Sequence, residues 1–225
     1  MASRYDTVAE WYDRELATSA LGESARAVVL RLLGDGSGTL LDVGCGGGSH
    51  ALAFAERGWR VTGVDVSVEQ LRLARERGVE VVEADAAALP FADASFDAAV
   101  SMFLHTDVDD FPAVVGEIAR VLRVGARFVY LGIHPCFVGP HARFLGGEGV
   151  PELHAGYRAT GRYTEAPGIS PTGLRAKVGA THLPLDAFVG SFLDAGLVLD
   201  RFHEPVSEHR IYPYLVALRT YKPPG

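Results

Sequence analysis

Asp42, Gly44, Gly46 and Gly48 alternate with other residues in the run Leu40-Leu41-Asp42-Val43-Gly44-Cys45-Gly46-Gly47-Gly48-Ser49, and Asp65 closes the stretch Val61-Thr62-Gly63-Val64 one helix-length later. Glycines let a turn pass close to a ligand without Cβ obstruction. A carboxylate ending the next strand can accept hydrogen bonds from both hydroxyls of a ribose. That chemistry is the cradling of an adenosine-containing cofactor. Asp42 narrows the choice, because it stands where a dinucleotide places its pyrophosphate, and a fixed negative charge repels phosphate. Ser49 also occupies the position where the dinucleotide pattern G-x-G-x-x-G expects its third glycine. S-adenosylmethionine has no phosphate, and its ammonium group is one that Asp42 can neutralise directly or through water.

Read as Asp-x-Gly-x-Gly-x-Gly, these residues resemble the first motif of class I S-adenosylmethionine-dependent methyltransferases, of the small free-standing, type 11-like kind. Three further segments follow in the order the family requires. Asp65 is followed by Val66, where the family places a residue against the adenine face. Glu83-Ala84-Asp85-Ala86 resembles the segment whose acidic side chain and next amide meet the adenine edge, which assigns that contact to Asp85 and Ala86. Ser95-Phe96-Asp97 to His105 resembles the fourth strand, whose end lies beside the reactive sulfonium, and this brings Ser101 to the cofactor. The resemblance implies S-adenosylmethionine as cofactor and S-adenosylhomocysteine as product. It also implies an N-terminal helical cap that lends Tyr12 to the cofactor and Tyr5 to the substrate.

Displacement at a sulfonium carbon is already activated, so the protein must align the acceptor, exclude water and manage one proton. No metal is required. A histidine titrating near neutrality suits the proton. His105, expected at the end of strand four, is the first candidate and His134, just past strand five, the second. Helix capping or packing would account for either as well. Cys45 reads as a small filler of the turn. Asp107, Asp109 and Asp110 read as a solvated helix start, and Asp97, at the far end of the sheet, as structural.

The elements that must carry these residues alternate. Helices are expected over residues 4–16 and 24–33, then a strand over 39–43, a helix over 49–57 and a strand over 60–65. Ser67-Val68-Glu69-Gln70 starts the next helix as a capping box, and a strand follows over 79–83. After strand four come a helix opened by Asp110-Phe111-Pro112, strand five over 126–132, a helix over 184–195, and strands over 198–204 and 214–220. Short links between alternating strands and helices imply a doubly wound parallel α/β sheet, and the family adds a seventh, reversed final strand. Residues 134–182 break the alternation. They contain His134, His141, His154, Tyr157, Tyr163 and His182, with Leu145, Val150, Leu153 and Ile169 able to pack. A segment of that length between strand five and the late helix reads as a partly helical substrate lid, with His105, His141 and His182 facing the acceptor.

The 225 residues carry a net charge of −7. That balance disfavours nucleic acid and anionic membranes. Charged residues interrupt the apolar runs, the start does not resemble a signal peptide, and two cysteines make no disulfide framework, so a cytoplasmic enzyme is expected. The organisation expected is one domain: a cap over 1–36, a cofactor core over 37–133, a lid over 134–182 and a final helix and strand pair over 183–225. The function expected is methylation of an oxygen or nitrogen of a small, partly hydrophobic metabolite, of the kind made in specialised metabolism, by a monomer or homodimer. A protein or RNA methyltransferase and a non-catalytic binder of the cofactor are the alternatives.

Overall fold

The computed structural model describes residues 3–17, 19–143, 152–169, 173–206 and 212–225. Leu145 and Val150 of the expected lid lie outside them.

A 3-10 turn at Asp6–Val8, α1 (Ala9–Tyr12) and a π-helical turn at Asp13–Ala17 precede α2 (Ala20–Leu33). The single helix expected over 4–16 is therefore broken. Its polar side chains are drawn to tertiary partners, since Tyr5 donates to Asp107 and Asp6 accepts from Ser67, and β-branched Thr7 and Val8 add little helical preference of their own. The second helix starts four residues earlier than expected, because the Ser19 hydroxyl caps it by accepting from the Gly22 N–H.

Apolar runs bounded by glycine then alternate with helices: β1 (Thr39–Val43), α3 (Ser49–Ala55), β2 (Arg60–Asp65), α4 (Val68–Glu76), β3 (Glu80–Glu83), β4 (Phe96–Met102), α5 (Phe111–Val121) and β5 (Leu122–Ile133). Ser67 opens α4 by accepting from Gln70 N–H, and Asp110 opens α5 by accepting from Ala113 N–H. β5 begins at Leu122 rather than Ala126. Gly125, at φ +80°, allows the strand to bend, and its pairing with β4 shifts register between Phe96 and Ala98.

Residues after β5 form β6 (Ala142–Arg143), β7 (Glu152–Leu153), β8 (Gly161–Tyr163), α6 (Leu174–Val178) and β9 (Ala180–His182). β6 pairs with β7 and β8 with β9, both antiparallel, so this segment is built mainly on short ladders with one five-residue helix. The chain ends with α7 (Leu185–Asp194), β10 (Val198–His203) and β11 (Leu215–Tyr221).

The main sheet has seven strands in the order β10-β11-β5-β4-β1-β2-β3, with β11, the last in the chain, antiparallel to both neighbours. Strand alternation divides its core in two. Leu41, Val43, Phe128 and Tyr130 pack with α5 and α7, while Leu40, Val129 and Leu131 pack with α2 and Phe54 of α3. The parallel strands end together beside the glycine turn, where an open α/β sheet binds its ligands.

Candidate active site

Two cavities meet above the strand ends. The first, about 480 Å³, is lined by Gly44, Gly46, Asp65, Val66, Asp85 and Ala86 among others, and by Tyr5 and Tyr12 of the N-terminal segment. The second, about 410 Å³, is lined by His105, Thr181, His182, Tyr163, Arg175 and their neighbours. Tyr12 and Phe103 line both. Phe103 is held at φ +62°, a left-handed conformation that costs a non-glycine residue about 1–3 kcal/mol and is sustained here by its N–H bond to Leu131 O.

In the first cavity the turn is locked onto Asp65. One carboxylate oxygen accepts from Gly46 N–H at 3.0 Å and the other from Ser67 N–H at 2.9 Å. Burial raises the Asp65 pKa, and these backbone donors oppose the rise. Gly44 sits at φ +75°, and a Cβ there would approach Leu104 to 2.9 Å, so the turn takes glycine for both conformation and space. Asp42 is buried on the strand face shared with Leu40 and does not line the cavity. Its Oδ2 has no hydrogen-bond partner among the described residues, and burial, then the charge of Asp65, push its pKa up to about 7. Gln70 Oε1, beside Gly46, is likewise without a partner. Glycine turn, strand-end carboxylates and unpaired buried acceptors together fit an adenosyl group carrying a cationic amino-acid end.

The N-terminal segment covers this cavity. Asp6 accepts from Ser67 Oγ at 2.7 Å, Asp13 pairs with Arg77, and the Tyr5 and Tyr12 rings meet edge to face at 5.3 Å. Tyr5, expected at the substrate, lines the cofactor cavity and donates to Asp107 at 2.8 Å. Asp107 also forms a salt bridge with Arg175 of α6, whose other nitrogen donates to Thr106 Oγ1 at 2.8 Å. Asp107 lines the first cavity and Arg175 the second, so this ion pair stands in the wall between them. Neither member was legible as a site residue: Asp107 lay in an acidic run typical of a helix start, and Arg175 in a segment without periodicity.

His105 lies in a 3-10 turn, Leu104–Thr106, beyond the end of β4, and is 2% exposed. Its Nδ1 stands 2.5 Å from the Tyr130 hydroxyl, and its backbone N–H donates to the same oxygen at 3.3 Å. Burial, with the positive Arg175 and the neighbouring His182, lowers its pKa to about 3, so the ring is neutral at physiological pH. His182 shares the cavity, with Nε2 bonded to Tyr157 O at 2.8 Å. The His141 ring lies 5.1 Å from that of His182, tilted against it, bonds Cys136 O through Nε2, and does not line the cavity.

Besides Asp42 and His141, the structure places two more expected site residues outside both cavities. His134 lines neither cavity, and both its ring nitrogens are engaged, Nδ1 by Cys136 N–H and Nε2 by Glu204 at 2.8 Å. Ser101 is fully buried on the face opposite Met102, and the cavity edge goes instead to Met102 and to Phe103, which lies past the strand end in a left-handed conformation. Asp97 accepts from Thr39 N–H and pairs with Arg123 at the far end of the sheet. Cys45 is buried, and burial pushes its thiol up, away from nucleophilic use. Among the described residues, no three His, Cys, Asp or Glu side chains gather as a metal site.

Residues 41–130 match a family described as a methyltransferase domain. The demethylmenaquinone methyltransferase of Thermobifida fusca is 35% identical over 156 residues, 65% of this chain and 66% of that protein. A ubiquinone/menaquinone biosynthesis C-methyltransferase of Desulfotalea psychrophila is 34% identical over 162 residues, 66% of this chain and 65% of that protein. The chain thus spans just under two thirds of the length of these curated relatives. In fold, it is similar to an S-adenosylmethionine-dependent methyltransferase of Mesorhizobium loti, with a TM-score of 0.75 at 22% identity over 91% of this chain and all of that one.

Proposed function

We propose that the chain is a class I S-adenosylmethionine-dependent methyltransferase, with S-adenosylmethionine as the cofactor, and that it methylates a small hydroxylated aromatic or quinol-type acceptor held in the second cavity. The observation that carries this reading is the meeting of two cavities at Tyr12 and Phe103, one cradling an adenosyl group and the other large enough for one or two fused rings.

Asp65 takes the ribose hydroxyls and Val66, Asp85 and Ala86 the adenine, while Asp42, which does not line the cavity, favours the cationic amino-acid end by its charge or through a bridging water. When bound, the cofactor would supply an electrophilic methyl group on a sulfonium, the sulfur retaining the bonding pair on transfer. Tyr12 and Phe103 hold the opening between cavities to the width of that transfer and keep water from it. A cavity histidine takes the hydroxyl proton of the acceptor, raising the electron density of the ring. The new bond forms at a ring carbon beside that oxygen, and the displaced ring proton passes to solvent. Residues 1–36 serve as the cap and 134–182 as the lid, joined through Tyr5, Asp107 and Arg175.

Carbon is preferred here to the oxygen or nitrogen expected from sequence, because the curated relatives carry names for methylation in quinone biosynthesis, one of them a C-methyltransferase. Those names give no support to specialised metabolism. No helix among the described residues is long and apolar enough to cross a membrane.

The test has two stages. Calorimetric titration with S-adenosylhomocysteine and with NAD should give binding of the first alone. Incubation with methyl-labelled cofactor and a panel of phenols, quinols and hydroxyaryl ketones should then yield a product whose label sits on ring carbon by NMR. Label on oxygen would correct the acceptor atom, and label in protein or RNA, or none in any acceptor, would overturn the small-molecule reading.

A further inference from the structure

Three histidines line the second cavity, His50, His105 and His182, and the last two have their hydrogen-bonding roles fixed from behind, in opposite senses. His182 Nε2 meets a backbone carbonyl, Tyr157 O, at 2.8 Å. A carbonyl only accepts, so Nε2 carries the proton and Nδ1 is a bare lone pair. Nδ1 is the nitrogen that faces Gly139 on the cavity lining, where a Cβ would come within 2.9 Å of it. His105 is held the other way round. The Tyr130 hydroxyl is fully buried and accepts from His105 N–H, and His105 Nδ1 at 2.5 Å is the acceptor within reach of its single proton. A buried hydroxyl proton left unpaired is strongly unfavourable, so it goes to that nitrogen. With Nδ1 accepting from Tyr130, the neutral ring carries its proton on Nε2, the nitrogen left for the cavity.

Building on the methyltransferase reading above, we propose that His182 is the base that takes the acceptor's hydroxyl proton and that His105 is a hydrogen-bond donor to a second oxygen of the same acceptor. The cavity therefore selects a ring that carries both a hydroxyl and an oxygen able to accept, as a quinol or a hydroxyaryl ketone does. In the transfer, the O–H bond breaks with its electron pair left on oxygen, His182 Nδ1 gains the proton, and His105 Nε2–H holds the second oxygen. Thr181 Oγ1, buried at the cavity wall without a partner among the described residues, offers a third polar contact to the same edge. The expectation that His105 itself is the base gives way, because its lone pair points at Tyr130 rather than at the acceptor.

Nitrogen-15 NMR of the histidine rings in the full chain at pH 7 tests the first half without any activity. Both His105 and His182 should carry the proton on Nε2, and Tyr130→Phe should move His105 alone to a mixture of tautomers. A proton on His105 Nδ1 in the unaltered chain overturns the assignment. The second half is read by titrating 3- and 4-hydroxyacetophenone, acetophenone and 4-ethylphenol into the protein saturated with S-adenosylhomocysteine. The better hydroxyacetophenone isomer should bind at least tenfold tighter than either analogue. His105→Phe should erase its advantage over 4-ethylphenol and His182→Phe its advantage over acetophenone, whereas His105→Gln, which keeps an N–H donor, should retain part of the first. Unchanged ratios in folded variants overturn the recognition. Should a phenylalanine variant fail to fold, the glutamine variant and the four-ligand comparison on the unaltered chain still decide. Failure to bind S-adenosylhomocysteine would instead count against the methyltransferase reading itself.

Discussion

Asp42 and Asp65 are two carboxylates on neighbouring strands with different tasks. Asp65 spends both oxygens on backbone N–H groups of the turn and the next helix, while Asp42 keeps one oxygen unpaired in the core. Its pKa, raised from the usual 3.8 to about 7, means that its contribution to stability is full below pH 4 and is lost as pH rises toward 7. A cationic ligand reverses that cost by favouring the ionised form. S-adenosylhomocysteine should therefore bind with release of a proton below pH 7, tightening by up to about tenfold per pH unit. Calorimetry in two buffers of different ionisation enthalpy would detect it, and Asp42→Asn should abolish the dependence. Asp65→Ala should weaken binding by about 1.5–3 kcal/mol, the range for a charge-assisted hydrogen bond, and by more if the turn loosens with it.

At the scale of elements, the N-terminal segment and α6 are tied to the site by polar contacts. Asp13 is 8% exposed and paired with Arg77 across the glycine turn, so Asp13→Ala leaves the N-terminal segment without this anchor beside the first cavity. Dissociation of S-adenosylhomocysteine should speed up by about 5–20-fold, equivalent to about 1–2 kcal/mol, in stopped-flow displacement. The packing of α5, α7 and β5 works differently. Phe111, Phe128, Tyr130, Phe188 and Phe192 form an aromatic cluster, and Phe188 also packs 5.2 Å from the His105 ring. Phe188→Ala should cost about 3–5 kcal/mol in urea denaturation, and the same cavity should free His105 from its fixed orientation.

At the scale of the whole molecule, the two cavities rest on the strand ends of one sheet, so cofactor binding should stabilise the folded chain as a unit. With S-adenosylhomocysteine at a hundred times its Kd, linkage adds about 2.7 kcal/mol, or a rise in Tm of about 5–10 °C for a domain of this size. Differential scanning fluorimetry would measure it, and the same rise with NAD would contradict the cofactor assignment. The net charge of −7 agrees with a small-molecule acceptor better than with a phosphate polymer.

Local sequence determined the cofactor half of this protein. β1 and β2 run over the residues that the apolar pattern marks, and the glycine turn and Asp65 meet because a turn, a helix and a strand of fixed length leave them little choice. Asp85, Ala86 and Val66 fall on the same cavity for the same reason. Only tertiary structure decided the acceptor half. His105 meets Tyr130 across 25 residues, Arg175 meets Asp107 across 68, and Asp13 meets Arg77 across 64. Such contacts arise from packing between elements distant in sequence, so no periodicity or spacing announces them. The roles of the histidines followed the same rule: His134 and His105 look alike in sequence, and the hydrogen bonds made by each ring's far nitrogen set them apart.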